Sequence, residues 1–179
     1  TELPADGLER LVAYLERHPE AAGVAPLHRD PDGRVQLSCL RFPTLRVGLL
    51  WDSALHRLWP EHRVLRDYRM ADWDQVSERW VEHAATSCLM IRREVYEAIG
   101  GMDERLVLYY NDTDFCYRMH RAGYRIRFLP DVEILHHGGV SVRTFENVNA
   151  RLQCDRYRYY RKWFGWRGAL AVRLAATSR

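Results

Sequence analysis

The sequence has no apolar run approaching about 18 residues, so nothing in it reads as a membrane-spanning helix. It opens without a signal peptide, since Thr1-Glu2-Leu3-Pro4 is polar and acidic, and the absent initiator Met points to a fragment or a processed chain. Cysteine is scarce: Cys39, Cys88, Cys116 and Cys154 match neither a zinc-ligand spacing nor a C-x-x-C redox pair. Each lies beside apolar residues, so all four are expected to be buried free thiols in a reducing cytoplasm. Internal repeats and low-complexity tracts are absent as well. What is present suits a globular domain: 47% hydrophobic and 28% charged residues over 179 positions can build one real core and do not describe a disordered chain. The net charge of +3 hides an asymmetry, because Arg151 to Arg179 holds eight basic residues against the single acid Asp155, leaving the rest net negative.

Hydrophobic spacing then orders the elements. Asp6, with Glu9 three residues on, reads as a capping box ahead of a helix with Leu8, Leu11, Val12 and Leu15 on its apolar face. Ala22 to Pro26 reads as a buried strand, Asp30-Pro31-Asp32-Gly33 as a turn, and Val35 to Ser38 as the returning strand. Phe42 to Asp74 holds Trp51, Trp59 and Trp73 and predicts helical or irregular segments, with a mobile loop near Pro60 to Tyr68. That region reads either as a cover over the core or as an acceptor-contacting loop. Cys88 to Ile91 reads as a buried strand, and Arg92 to Ile99 as a short helix ended by Gly100-Gly101. Asp112 is placed to cap a helix whose buried face is Phe115, Cys116, Met119 and Ala122, with Gly123 closing it. Tyr124, Ile126 and Phe128 alternate as a strand, Pro130 turns the chain, and Glu146 to about Trp163 forms a last helix.

One constellation carries chemistry. Asp103-Glu104 and Asn111-Asp112-Thr113-Asp114 precede His136-His137-Gly138-Gly139, which follows the next strand. If the helix and the strand end at one rim of a sheet, these groups meet where α/β folds place ligands. A carboxylate there takes a proton from an attacking hydroxyl. A histidine beside it helps hold Mg2+ or Mn2+ against a diphosphate, and the metal offsets charge on the leaving group. The same residues also suit plainer roles: Asp112 as a helix cap, Asp114 as a partner of the helix dipole, His136 as a hydrogen-bonded core histidine.

The ordered set Gly100-Gly101-Met102-Asp103-Glu104, Tyr109 to Arg118, Ala122-Gly123-Tyr124, Pro130 and His136-x-Gly138-Gly139-x-Ser141 resembles family 2 glycosyltransferases. Within them it is most similar to bacterial rhamnosyltransferase-like members that build cell-surface polysaccharide. Pro31-Asp32-Gly33, Arg41-Phe42-Pro43-Thr44 and Ile91-Arg92-Arg93 extend the likeness over nearly the whole chain. The resemblance implies an α/β fold, the C-terminal (acceptor-side) half of a GT-A nucleotide-diphospho-sugar transferase domain, with a mixed sheet and flanking helices. It implies inverting sugar transfer from a nucleotide-sugar donor to a saccharide or polyprenyl-linked acceptor. Asp112 then matches the general base, His136 a metal ligand, Asp114 a supporting acid, and Asp103 and Glu104 a loop pair on the acceptor side. Asn111 stands where the family has Glu. His83-Ala84-Ala85-Thr86-Ser87 replaces the usual Trp-Val-x-Gly-Ala, which puts Thr86 and Ser87 in the floor of the acceptor pocket. Family members read Asn-Pro-Asp-Thr-Glu-Leu where this chain begins Thr1-Glu2-Leu3. The expectation is that the nucleotide-gripping βαβ half precedes Thr1. The divalent metal would then bind only with that half, and this chain alone would bind a nucleotide sugar weakly and transfer nothing.

Residues 1–145 thus read as the acceptor-side part of the catalytic domain and 146–179 as a basic aromatic tail. In the tail, arginines interleave with Tyr157, Tyr159, Tyr160, Trp163, Phe164 and Trp166, which fits packing on the core or peripheral contact with anionic lipid at the inner face of the cytoplasmic membrane. Nucleic acid is the weakest of the three partners such a composition allows and is not expected. A sheet edge left open by the missing half would favour a homodimer. Two other classes stand beside the transferase: a metal-dependent hydrolase using Asp112, Asp114 and His136, and a non-catalytic binding or assembly module.

Overall fold

The computed structural model describes residues 1–51, 53–139 and 145–176. Ser141 of the histidine–glycine motif and the last three residues of the tail lie outside them. The described residues form an α/β structure around a mixed sheet. Helix α1 (Gly7–Arg17) buries Leu11, Tyr14 and Leu15 and leaves Leu8 and Val12 exposed, so its apolar stripe is narrower than the spacing suggests. Asp6 sits at the cap position, but its carboxylate makes no capping bond; it lies 3.7 Å from Arg10 instead.

Strand β1 (Gly23–Arg29) is buried on both faces. Val24 packs with the α1 side chains, and Ala25 and Leu27 with the opposite layer, which is why this stretch reads as an unbroken apolar run. The Asp30–Gly33 turn forms as expected, with Asp30 Oδ1 accepting from the Asp32 and Arg34 amides at 2.9 and 2.8 Å. It leads to β2 (Val35–Gln36), antiparallel to β1. Strand β3 (Cys39–Leu40) pairs instead in a separate two-stranded sheet.

Three short helices follow: α2 (Leu45–Leu50), α3 (Ala54–Leu58) and α4 (Arg63–Tyr68). The loop expected near Pro60 to Tyr68 is therefore largely α4, pinned by Leu65, which is fully buried. Strands β4 (Arg79–Val81), β5 (His83–Ala84) and β6 (Met90–Ile91) are short, and the Cys88–Ile91 run is only half-buried. Helix α5 (Arg93–Ala98) ends at Gly100 and Gly101, whose φ values of 77° and 67° need a residue without a Cβ.

Helix α6 (Asn111–Arg121) leads into β7 (Ile126–Leu135), the centre of the sheet order β2-β1-β7-β4. Pro130 does not end this strand. It occupies a bulge, where the parallel pairing with β1 jumps from Pro26–Leu129 to Leu27–Glu133, a position that tolerates a residue with no amide hydrogen. Helix α7 (Val148–Ala175) breaks at Gly165, with φ 71° and ψ 178°. A continuous helix would part Tyr157 from Arg173 by roughly 24 Å. Arg173 instead lies 5.8 Å from the Tyr157 ring, so the segment after Gly165 doubles back. Ala169 and Val172 thereby join Tyr159, Tyr160 and Leu106 in a third core cluster, against α2. Of the cysteines, Cys39 and Cys116 are buried and Cys88 half-buried, but Cys154 is exposed on α7, against the expectation of four buried thiols.

Candidate active site

The start of α6 sets the site. Tyr110 precedes it in the left-handed conformation, φ 60°, which is unusual for a bulky residue and marks a constrained turn. The buried carboxylate of Asp155 on α7 holds that turn, accepting from the Leu108 and Tyr109 amides at 3.0 and 3.1 Å. The cap position belongs to Tyr110 rather than Asp112, which lies inside the first turn. Asp112 Oδ1 accepts from the Thr113 amide at 2.7 Å, and Oδ2 lies 3.6 Å from His83 Nε2 on β5. Burial alone would raise its pKa. The His83 imidazole and the Thr113 bonds outweigh that and hold it below the ordinary carboxylate value, so Asp112 is ionised at neutral pH. Its side chain is 25% exposed and thus reachable.

The other acids of the motif are engaged elsewhere. Asp114 is fully buried and accepts from Arg118 Nε, Lys162 Nζ and Trp163 Nε1 at 2.8, 2.9 and 2.8 Å. Arg118 also donates to the carbonyls of Ile99 and Gly101, both at 2.6 Å. Lys162 also donates to Asp103 Oδ2 at 2.8 Å, and Arg105 chelates the same carboxylate. The Arg105 hydrogen bonds, then Lys162, hold the Asp103 pKa far below the usual range. Asp103, Asp114, Arg118 and Lys162 are one ionic clamp joining the glycine loop, α6 and α7. The Asp114 carboxylate thus faces the clamp, and Glu104 is exposed on the same loop as Asp103.

The histidine end lies beyond the C-terminal ends of β1 and β7, which run parallel. Gln36 Nε2 donates to the His136 carbonyl, and Gln36 Oε1 lies 2.8 Å from His136 Nδ1. That pairing puts the ring proton on Nδ1 and leaves the Nε2 lone pair for a ligand. Burial lowers the His136 pKa, which favours the neutral ring that a metal ligand needs. His28 packs edge-on to His136, with ring centroids 5.6 Å apart. Its Nδ1 donates to the Pro26 carbonyl, so its Nε2 accepts from the Ser87 hydroxyl at 2.8 Å. Burial pushes its pKa down to about 4. Thr86 is exposed next to Ser87. The segment from His83 to Ser87 thus touches Asp112 at one end and the His28–His136 pair at the other. This segment, whose span is at most roughly 14 Å between Cα atoms, links the base candidate through His83 to His28, the ring neighbour of the metal-ligand candidate, through Ser87.

Among the described residues no three His, Cys, Asp or Glu side chains converge on a metal position. With Asp114 locked in the clamp, the Asp112–Asp114–His136 set required by the hydrolase reading does not form. His28, Gln36, His83, Asp155 and Trp163 were not singled out in the sequence as site residues. Lys162 had a visible signal, being the chain's one lysine among 27 basic residues.

The chain is 35% identical over 130 residues to the N-acetylglucosaminyl-diphospho-decaprenol L-rhamnosyltransferase of Mycobacterium tuberculosis, covering 73% of this chain and 42% of that protein. It is 28% identical over 163 residues to the O-antigen biosynthesis protein RfbC of Myxococcus xanthus, 90% of this chain and 12% of that one. Over 76 residues it is 33% identical to the dTDP-rhamnosyl transferase RfbF of Shigella flexneri, 42% of this chain and 26% of that protein. The chain therefore spans less than half the length of each of these relatives. No family model matches it, and no solved structure does. By sequence relationship, the chain is similar to part of named rhamnosyltransferases and of an O-antigen biosynthesis protein.

Proposed function

We propose that this chain is the acceptor-side part of an inverting GT-A glycosyltransferase. The protein containing it would move a sugar, rhamnosyl as in the Mycobacterium and Shigella relatives, from a nucleotide-sugar donor to a saccharide or lipid-linked saccharide. The observation that carries this reading is the contrast among the motif aspartates: Asp112 is ionised and partly exposed beside His83, while Asp103 and Asp114 are engaged by Arg105, Arg118 and Lys162 in the clamp. In the reaction, Asp112 takes the proton of the acceptor hydroxyl as its oxygen bonds to the anomeric carbon. The bond from that carbon to the diphosphate breaks, and the electron pair leaves with the phosphate oxygen. His136 would supply one ligand to Mg2+ or Mn2+, the others coming from the diphosphate and from protein outside the described residues. A metal held there offsets the charge gathering on the leaving group. Thr86 and Ser87 would line the acceptor floor. The test is product analysis with the natural protein that contains this chain, a nucleotide-rhamnose donor and an N-acetylglucosaminyl-diphospho-lipid acceptor. A new glycosidic bond of inverted configuration is expected; hydrolysis of the donor with no acceptor product would refute it.

We also propose contact with the inner membrane face through α7. Trp166, Leu170 and Leu174 form an exposed stripe on the side away from Ala169 and Val172, flanked by Arg167 and Arg173. No helix among the described residues is long and apolar enough to cross a membrane, so such contact would be peripheral. A homodimer through a sheet edge would rest on β4, β2 or β6, each only two or three residues long, and solution mass tests it.

A further inference from the structure

His83 is the other half of the Asp112 environment. Its side chain is 5% exposed, and its Nε2 lies 3.6 Å from Asp112 Oδ2 and 3.5 Å from Thr113 Oγ1. Its second ring nitrogen, Nδ1, is buried with no hydrogen-bond partner. Buried polar atoms are nearly always paired, so an orphan beside a reactive group calls for a reason. The surroundings decide where the ring carries its proton. A proton on Nδ1 would be a buried donor with no acceptor, and it would turn the Nε2 lone pair toward a carboxylate. A carboxylate oxygen at 3.6 Å and the Thr113 hydroxyl at 3.5 Å instead favour a ring that carries a proton on Nε2, facing Asp112. The thiols of Cys39 and Cys116, packed around the β3–β5 pair, are pushed up to about 12 by burial and stay neutral. Asp112 is thus the charged partner facing His83 among the described residues.

We infer that His83 is a positioning residue for the base: an imidazole that donates Nε2–H to Asp112 Oδ2 and fixes the carboxylate with its remaining lone pair toward the acceptor hydroxyl. The backbone and hydroxyl of Thr113 hold Oδ1, so each carboxylate oxygen has a protein donor and the rotamer is set from both sides. The gap of 3.6 Å is longer than a finished hydrogen bond and closes as the acceptor desolvates the site, a tightening common to catalytic contacts. The proton taken from the acceptor resides on Asp112 and leaves to water with the product. This inference rests on the reading of Asp112 as base.

Two measurements test it. The first uses the chain itself: carbon-detected titration of the Asp112 carboxyl and long-range proton–nitrogen correlation of His83, in wild type, His83→Phe and His83→Gln. A ring carrying a proton on Nε2 is expected. The Asp112 midpoint should rise in His83→Phe and return toward wild type in His83→Gln, whose amide reaches the same point. A ring protonated on Nδ1 alone, or an unmoved midpoint in His83→Phe, overturns the inference. The second uses the natural protein. His83→Phe should lose roughly 10- to 100-fold in kcat with little change in KM, as misplacement of a catalytic group does, and His83→Gln should recover most of it. If Asp112→Asn is inactive while His83→Phe keeps wild-type kcat, the positioning role falls alone. If Asp112→Asn keeps wild-type kcat, the base assignment falls and this inference with it. Should His83→Phe fail to fold, the wild-type tautomer and the His83→Gln titration still decide.

Discussion

Removing the Asp114 carboxylate should unfold the join between α6 and α7 without touching the chemistry. Asp114→Ala deletes a fully buried acceptor of bonds from Arg118, Lys162 and Trp163. Breaking a buried ion pair by removing one partner costs about 3–5 kcal/mol, because the remaining charge is left uncompensated. Two features temper that here. Lys162 keeps Asp103 at 2.8 Å, and Arg118 keeps the Ile99 and Gly101 carbonyls. Trp163 Nε1, only partly buried, loses its acceptor, at about 1 kcal/mol, the low end for an unpaired donor. A net loss of about 3 kcal/mol is expected, out of a total near 5–15 kcal/mol for a domain. For a chain of this size that lowers Tm by roughly 6–12 °C. Thermal and urea unfolding followed by circular dichroism measure it. Asp114→Asn, which keeps a carbonyl for the indole, should lose less. A wild-type melting curve for Asp114→Ala would refute the clamp and reopen Asp114 as a substrate-facing acid.

Three further outcomes follow from the structure. Gly48→Ala should cost about 1–3 kcal/mol by overpacking, since a Cβ there would meet Tyr160 Cε1 and Oη at 2.6 Å; an unchanged melting temperature would show that α2 and α7 do not pack so closely. His28, neutral and buried with a pKa down to about 4, binds its proton more readily unfolded, near about 6.5. The stability it contributes is complete above that unfolded value and is lost as pH falls toward about 4. The loss is of the order of 3 kcal/mol, and His28→Asn should flatten the urea midpoint across that window. Liposome sedimentation with anionic vesicles should capture the chain, and Trp166→Ser with Leu174→Ser should release it; equal binding by both would remove the membrane contact.

The parts of the fold legible in the sequence were those set by local chemistry. The Asp30–Gly33 turn, the glycine end of α5, the buried β1 run and the helix through Trp163 all depend on neighbours a few residues away. What escaped depends on distant partners. Pro130 reads as a stop, yet β7 passes through it because a bulge against β1 removes the need for its amide. The span from Pro60 to Tyr68 reads as a loop because its arginines mask one buried leucine, Leu65, around which α4 forms. At the site, Asp112 and His136 stood out as residue types in a motif. Asp103 and Asp114 stood out equally and serve the clamp, since a motif cannot say which carboxylate meets Lys162 from 48 residues away. His83 lay hidden because its meaning comes from a contact across 29 residues of chain, made only when β5 meets α6.

The central claim is that Asp112 is the base and that its neighbouring acids are structural. The direct measurement compares sugar transfer by the natural protein carrying Asp112→Asn, Asp103→Asn or Asp114→Asn, with folded fraction measured on the same samples. Asp112→Asn should keep its melting temperature within about 1–2 °C and lose at least about 10²-fold in kcat. The other two should lose stability and, per folded molecule, keep most of their activity. An Asp112→Asn protein that transfers sugar at the wild-type rate would contradict the account.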